Sequence, residues 1–311
     1  MVIHYGYENI SLASPVVTLG IFDGVHRGHR ALLDILVTRA RESGRESVVI
    51  TFAPHPRIVL DKGATKLSFL TTMDEKIVLL EKCGIDHLIV IAFDESFSKI
   101  EACDFLKDIL AGKIGARHLI IGYNHHFGKR GEGDFSTIKE CADPLDFVVE
   151  QVQGFHTEEG AISSSVIREA LLSGRLEEAN KWLGYPYSLS GKVVEGRKLG
   201  RVMGFPTANI EPDSSFKLVP SNGVYAVEVI LGEKRYKGVL SIGTNPTVNS
   251  DGRPRSVEVY IFDFENDIYG SPISVVFRKR LRDEIRFEST DALVKQMTYD
   301  KHNALQTLAG I

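Results

Sequence analysis

The hydrophobic pattern changes character once along the chain. In the first half, short uniformly apolar runs alternate with stretches of helical spacing. Val16-Val17-Thr18-Leu19 ends at Gly20, and Val48-Val49-Ile50-Thr51-Phe52 is the next such run. His87 to Phe93, His118 to Ile121 and Phe147-Val148-Val149 follow. Between them, Leu32, Leu33, Ile35 and Leu36 cluster on a helix that closes near Ser43-Gly44. Thr71 to Lys82 reads as a helix stopped by Gly84, Ser98 to Leu110 as another, and Ser163 to Leu183 as two helices broken at Ser173-Gly174. Strands apolar at every position and separated by helices predict an α/β doubly wound parallel sheet.

After Gly184-Tyr185-Pro186 the period shortens. Gly191 to Val194, Gly223 to Leu231, Tyr236 to Ile242, Val257 to Phe262 and Ile273 to Phe277 are alternating stretches divided by Gly, Pro and Asn turns. That pattern predicts an antiparallel β-barrel or sheet, closed by a C-terminal helix over Asp291 to Leu308. The expected domains are therefore residues 1–184 and 185–311. No internal repeat or low-complexity segment interrupts them.

Composition narrows the classes. The 311 residues are 43% hydrophobic and 25% charged, with a formal net charge of −4. Such a chain has material for sizeable cores, and its charge argues against a surface for long nucleic acids. The N-terminus shows no secretory signal, and no apolar run approaches the roughly 18 residues of a membrane span. A cytoplasmic enzyme without membrane or nucleic-acid partners is expected. Cys83, Cys103 and Cys141 are odd in number and contain no C-x-x-C pair, which predicts free or buried thiols. The sequence carries no signal of oligomeric state.

Chemistry concentrates first at Gly20-Ile21-Phe22-Asp23-Gly24-Val25-His26-Arg27-Gly28-His29. This string joins a strand to a helix, where unpaired N–H groups and the helix dipole favour an anion. Its glycines allow close backbone approach, and His26 and His29 share a face of the first helical turn. Two imidazoles there can donate to phosphate oxygens as charge grows in a transition state. The same pair could also be half of a zinc site or incidental. Neither a P-loop nor G-x-G-x-x-G occurs.

The string is similar to the H-x-G-H signature of the nucleotidyltransferase superfamily, in the extended form of bacterial FAD synthetases. TFAPHP (Thr51 to Pro56), IGYNHHFG (Ile121 to Gly128) and ISSSVIR (Ile162 to Arg168) resemble further elements of that family, in order. The resemblance implies that Gly20, Phe22, Asp23, Gly24, His55, Asn124, Ser163 and Ser164 bind nucleotide or flavin. It also implies catalytic roles for His26, His29 and Arg168. His55 alone reads equally as part of a proline-fixed turn, and the serines as helix caps. His125 stands where the family has Phe.

In the second half, Gly196, Lys198, Gly200 and Gly204 punctuate a basic loop that leads into Phe205-Pro206-Thr207-Ala208-Asn209. Such a loop can wrap phosphates. Thr207 and Asn209, two apart in an extended stretch, present neutral oxygens to one side, which suits Mg²⁺ bound with ATP. In the alternating strand around it, Glu258 shares a polar face with Ser256 and Tyr260; solvent exposure alone would explain that. The whole segment resembles riboflavin kinases, with GVYAVEV, IGTNPTV, SVEVYIFDF, DIYG and FRKRLRDEIRF in family order.

That resemblance implies Glu258 as catalytic base, Thr207 and Asn209 as metal ligands, and Arg282 and Phe287 over the flavin. The last two read equally as surface residues. Taken together, the chain resembles the bifunctional riboflavin kinase/FMN adenylyltransferases, the prokaryotic-type FAD synthetases. FMN and FAD would then be substrate and product rather than prosthetic groups, beside riboflavin and ATP. A kinase with an impaired first domain, or a non-catalytic flavin-binding protein, are the alternatives.

Overall fold

Val16–Leu19 (β2) is buried along its whole length and forms the middle of a parallel sheet. The computed structural model describes residues 1–61, 67–123, 126–153, 156–157, 160–196, 204–243 and 255–310. They divide into two compact units, 1–67 with 73–164, and 68–72 with 165–311.

In the first unit the strands are β1 (Val2–Tyr5), β2, β3 (Ser47–Ala53), β4 (His87–Ala92), β5 (His118–Gly122) and β6 (Val148–Val152), in the order β1-β4-β3-β2-β5-β6. All neighbours are parallel. Alternate residues of each strand enter different cores. Val17, Leu19, Val48, Ile50, Ile89, Ile91, Leu119 and Ile121 pack into one, while Val16, Val49, Leu88, Val90 and Ile120 pack into the other. Covering both faces is the reason these strands read as continuously apolar.

Helix α1 (Arg27–Glu42) buries Leu33, Leu36, Val37 and Ala40. Leu32 and Ile35, expected on that face, are only partly buried, because the stripe runs along i, i+3, i+4 and i+7 from Leu33. A short helix α2 (Pro56–Leu60) and α3 (Met73–Glu81) follow β3. The helix expected over Ser98 to Leu110 starts later. Its α-helical turn α4 (Ala102–Asp104) continues as a wider π-helix over Phe105–Lys113, where Ile114 N–H donates to Ile109 five residues back at 2.9 Å. Helix α5 is Phe135–Ala142, and His156–Thr157 (β7) pairs with Gly160–Ala161 (β8). β1 had no counterpart in the sequence pattern, since its largely exposed residues carry no apolar run.

The cysteine expectation is corrected here. Cys103 on α4 and Cys141 on α5 are joined by a disulfide, with Cα atoms 5.5 Å apart, a separation that suits the bond. Their 38-residue spacing follows no motif, so only the packing of α4 beside α5 brings them together. Cys83 is free.

The second unit contains α6 (Ser164–Leu172, from Ser165 on), α7 (Leu176–Leu183) and the strands β9 (Ser188–Val194), β10 (Thr207–Pro212), β11 (Gly223–Leu231), β12 (Lys234–Gly243), β13 (Ser256–Ile261) and β14 (Pro272–Arg282). These strands close into a barrel in the order β10-β13-β12-β11-β14-β9. A final helix, α8 (Thr290–Thr307), is capped by Ser289 and buries Ala304 and Leu308 against Ala226 and Phe262. Asn180 of α7 donates to the Phe277 carbonyl at 3.0 Å and accepts from Tyr187 N–H at 2.7 Å. That bonding fastens α7 to the barrel. The segment 68–72 joins the same unit through reciprocal backbone bonds with Phe216 and Leu218.

Two substitutions separate buried from peripheral strands. Ile50→Ala is expected to destabilise the first unit by about 2–5 kcal/mol, the usual cost of a core truncation. Tyr5→Ala, at a side chain 76% exposed on the sheet edge, should move stability by less than about 0.5 kcal/mol. Urea titration with a probe in the first unit reads both, and equal shifts would contradict the two-sided core.

Candidate active sites on the two units

The chain runs from β2 outward to β3 and β4, then returns to place β5 on the other side of β2. Strand order therefore reverses between β2 and β5. In open parallel sheets ligands collect beyond the strand ends at such a point. The turn Gly20–His29 leaves β2 there, and the segment after Gly122 leaves β5 there.

The turn is tightly specified. Gly20 N–H donates to Ile50 at 3.0 Å, and Thr18 Oγ1 donates to the Ile120 carbonyl at 2.7 Å, pinning β2 between its neighbours. Phe22, Gly24 and Val25 have positive φ values of 50°, 79° and 35°. Only Gly24 adopts this without a side-chain penalty, so the turn holds strain that Phe22 and Val25, both buried, offset by packing. Asp23 is also buried.

His26 is the N-cap of α1. Its Nδ1 accepts from His29 N–H at 3.3 Å, and its ring stacks on that of His29 with centroids 3.6 Å apart. Phe22 meets His29 edge-on at 5.3 Å. His29 Nδ1 is shut off from solvent and has no hydrogen-bond partner, so the neutral ring has a donor position left for a ligand. Burial, then the neighbouring His26 and Lys76, hold the His29 imidazole well below its usual pKa. His26 Nδ1 already accepts from backbone, and among the described residues no group of three or more His, Cys, Asp or Glu could hold a metal ion.

The other predicted residues of this half fall as follows. Ser164 Oγ, still in the first unit, donates to the Asp23 carbonyl at 2.9 Å. Ser163 is half-buried beside it in sequence. Arg168 belongs to the second unit and donates to Ser165 Oγ at 3.1 Å. His55 caps α2 through its Nδ1, which accepts from Arg57 N–H at 3.1 Å. Asn124 and His125 lie outside the described residues.

Lys76 escaped the sequence reading. It sits on the buried stripe of α3, four residues before Leu80, and is only 6% exposed. A charge at a helical position where the pattern calls for an apolar residue was the available signal.

On the barrel, Asn209 of β10 pairs directly with Glu258 of β13, and Thr207 with Tyr260. Directly opposed residues of antiparallel strands project to one side, so Thr207, Asn209 and Glu258 share a face. Thr207 Oγ1 donates to Glu258 Oε2 at 3.3 Å. Val257, Val259 and Ile261 point the other way into the core, as the alternation required. Gly196 lies so close to the Asn209 amide that a Cβ there would overlap it. Gly204 has φ of 78°, which favours glycine, while Lys198 and Gly200 lie outside the described residues.

Arg282 ends β14 and forms a fork with the buried Asp300 of α8, donating from Nε at 3.0 and 3.1 Å and from Nη2 at 2.7 Å. Gln296 also donates to Asp300, at 2.9 Å. The Arg282 guanidinium stands 5.9 Å from the Phe287 ring. Its hydrogen-bonding edge is therefore engaged with the helix, and it fixes the stretch that carries Phe287.

Comparison with known proteins agrees with this division. A family model described as FAD synthetase matches residues 9–166, and one described as riboflavin kinase matches residues 183–308. The chain is 39% identical over 305 residues to the bifunctional riboflavin kinase/FMN adenylyltransferase of Escherichia coli K12, covering 96% of this chain and 95% of that one. It is 36% identical over 303 residues to the protein of the same name from Bacillus subtilis 168, covering 96% and 94%. A crystal structure of a macrolide-efflux protein from Streptococcus pneumoniae superposes with a TM-score of 0.87 at 32% identity, covering 97% of this chain and 98% of that one. Among the described residues of this chain no helix is long and apolar enough to cross a membrane.

The state of His29 is measurable. Its folded pKa lies below the unfolded value near 6.5, so the unfolded chain takes up the proton first as pH falls. The stability due to keeping His29 neutral is complete above about pH 6.5 and declines below it. NMR titration should show the His29 ring titrating well below the ordinary value near 6.5, and His29→Asn should flatten the acid-side loss of stability. A ring titrating at or above 6.5 would contradict the geometry.

Proposed function

The chain belongs to the bifunctional riboflavin kinase/FMN adenylyltransferase family, and from that premise we propose which of its residues carry each reaction. The barrel half converts riboflavin and ATP to FMN and ADP, and the parallel-sheet half converts FMN and a second ATP to FAD and pyrophosphate. Riboflavin, FMN and ATP are thus its substrates. We take 184/185 as the chemical boundary, although α6 and α7 pack with the barrel unit.

In the kinase reaction Glu258 is the base. It accepts the proton of the ribityl 5′-hydroxyl as that oxygen bonds to the γ-phosphorus and the bond to ADP breaks. The observation that carries this assignment is the common face of Glu258, Thr207 and Asn209. Thr207 and Asn209 offer hard neutral oxygens beside a carboxylate, a donor set that fits Mg²⁺ held jointly with nucleotide phosphates. Such an ion would neutralise phosphate charge. The loop bearing Gly196, Lys198, Gly200 and Gly204 would wrap those phosphates, and Phe287, steadied by Arg282, would cover the flavin ring.

In the adenylyl transfer no general base is required, because the FMN phosphate is already ionised at neutral pH. One of its oxygens bonds to the α-phosphorus of ATP, and the bond to pyrophosphate breaks. His26 and His29 stabilise charge on the α-phosphate, with the backbone of the Phe22 to Gly24 turn lining the site. Arg168, Ser163, Ser164, Asn124 and His55 join this list through the motifs they complete. The reading extends to a cytoplasmic enzyme without membrane or nucleic-acid partners; the acidic net charge weighs against a surface for long nucleic acids.

Glu258→Gln tests the division. Riboflavin phosphorylation should fall roughly 10²-fold or more, the scale of general-base catalysis. FAD formation from supplied FMN should stay within about twofold of the parent, since the other half is untouched. Near-parental phosphorylation would remove Glu258 from the base role.

A further inference from the structure

The triphosphate of ATP brings several negative charges to the Gly20–His29 turn, where Arg27 is the one arginine or lysine of the string. Asp23 is acidic and buried there, and His29 is held neutral. Dipoles and neutral N–H groups can bind phosphate, but a nearby cation strengthens such binding in a water-poor site.

Lys76 is positioned to be that cation. Phe22 and Val25 of the turn, Leu33 of α1 and Leu80 of α3 belong to one buried core, with Met73, Ile77 and Leu79 packed against it. The helix bearing Lys76 is therefore held rigidly on the same core as the turn. Lys76 is buried, which a lysine adopts rarely unless something compensates. Asp23 is the group that favours its charge, and its own charge reaches the His29 ring. So one ammonium, one carboxylate and one unpartnered imidazole nitrogen lie within electrostatic reach of each other at the topological switch point. A lysine needed only for packing would gain nothing from this placement, since an apolar side chain would fill the stripe at lower cost.

We propose that Lys76 is a phosphate-contacting residue of the adenylyl-transfer site, neutralising the ATP phosphates from the buried face of α3. This rests on assigning adenylyl transfer to the Gly20–His29 turn. Asp23 from the turn and His29 from α1 are titratable groups whose charge couples to that of Lys76. Burial pushes the lysine down to about 8, so it is mostly charged at neutral pH and loses that charge as pH rises through that value.

The experiment uses the full chain and FAD formation from FMN and ATP. Lys76→Met keeps the apolar stem and removes the charge. Its kcat/KM for ATP should fall roughly 10²-fold, the scale for losing one charge-stabilising contact, with riboflavin phosphorylation unchanged. In the parent, kcat/KM for ATP should decline on the alkaline side with a midpoint near 8. Lys76→Arg should retain more activity than Lys76→Met and move that decline above pH 9, a result independent of whether the methionine variant folds. A methionine variant within threefold of the parent, or an arginine variant with an unmoved alkaline decline, would overturn the role of Lys76. A parent protein that makes no FAD from FMN would instead overturn the assignment of the site.

Discussion

Burial of the parallel sheet on both faces decides where the first unit can do chemistry. With Val17 and Leu19 in one core and Val16 in the other, β2 has no lateral surface to offer a ligand. Its exit is different. There the backbone must turn sharply into α1, and the reversal of strand order between β2 and β5 marks the place where ligands of open parallel sheets collect. The positive φ values of Phe22, Gly24 and Val25 follow from making that turn in so few residues. Phe22 and Val25 keep it in place by packing into the core beneath. His26 and His29 are consequently set at a fixed stacking distance before any nucleotide arrives, as a preorganised site requires.

The barrel uses a different constraint to the same end. Period-two alternation sends Val257, Val259 and Ile261 inward and leaves Glu258 on the opposite face. The register with β10 then fixes which residues stand beside it. A slip of one residue would turn Glu258 into the core and remove it from Asn209. Position in the strand pair, rather than any loop, therefore assembles the carboxylate with the two neutral oxygens. The Arg282–Asp300 fork does a related task at the barrel end, tying the end of β14 to α8.

Much of this was legible in the residues. Uniform apolarity announced the parallel strands, alternation announced the barrel, and the Glu258 face followed from counting by two. What was missed has identifiable causes. Strand β1 is exposed and gains its place by pairing with β4, a non-local effect. Cys103 and Cys141 meet only because α4 packs beside α5. The bond from Arg282 to Asp300 was not legible, because that partner lies 18 positions away on another element. Lys76 was overlooked because a periodicity search scores a lysine as surface, whereas its partners Asp23 and His29 come from a turn some fifty residues earlier in the chain.

The central claim is that one chain carries two separable phosphorus chemistries, with FMN as product of one and substrate of the other. The most direct measurement is a time course with riboflavin, ATP and Mg²⁺ in which flavins, ADP and pyrophosphate are all quantified. ADP should appear with total phosphorylated flavin, and pyrophosphate with FAD alone, after FMN has begun to form. FMN accumulating with ADP but without FAD or pyrophosphate would contradict the account of the Gly20–His29 turn. FAD appearing without a matching release of pyrophosphate would contradict the adenylyl-transfer step itself.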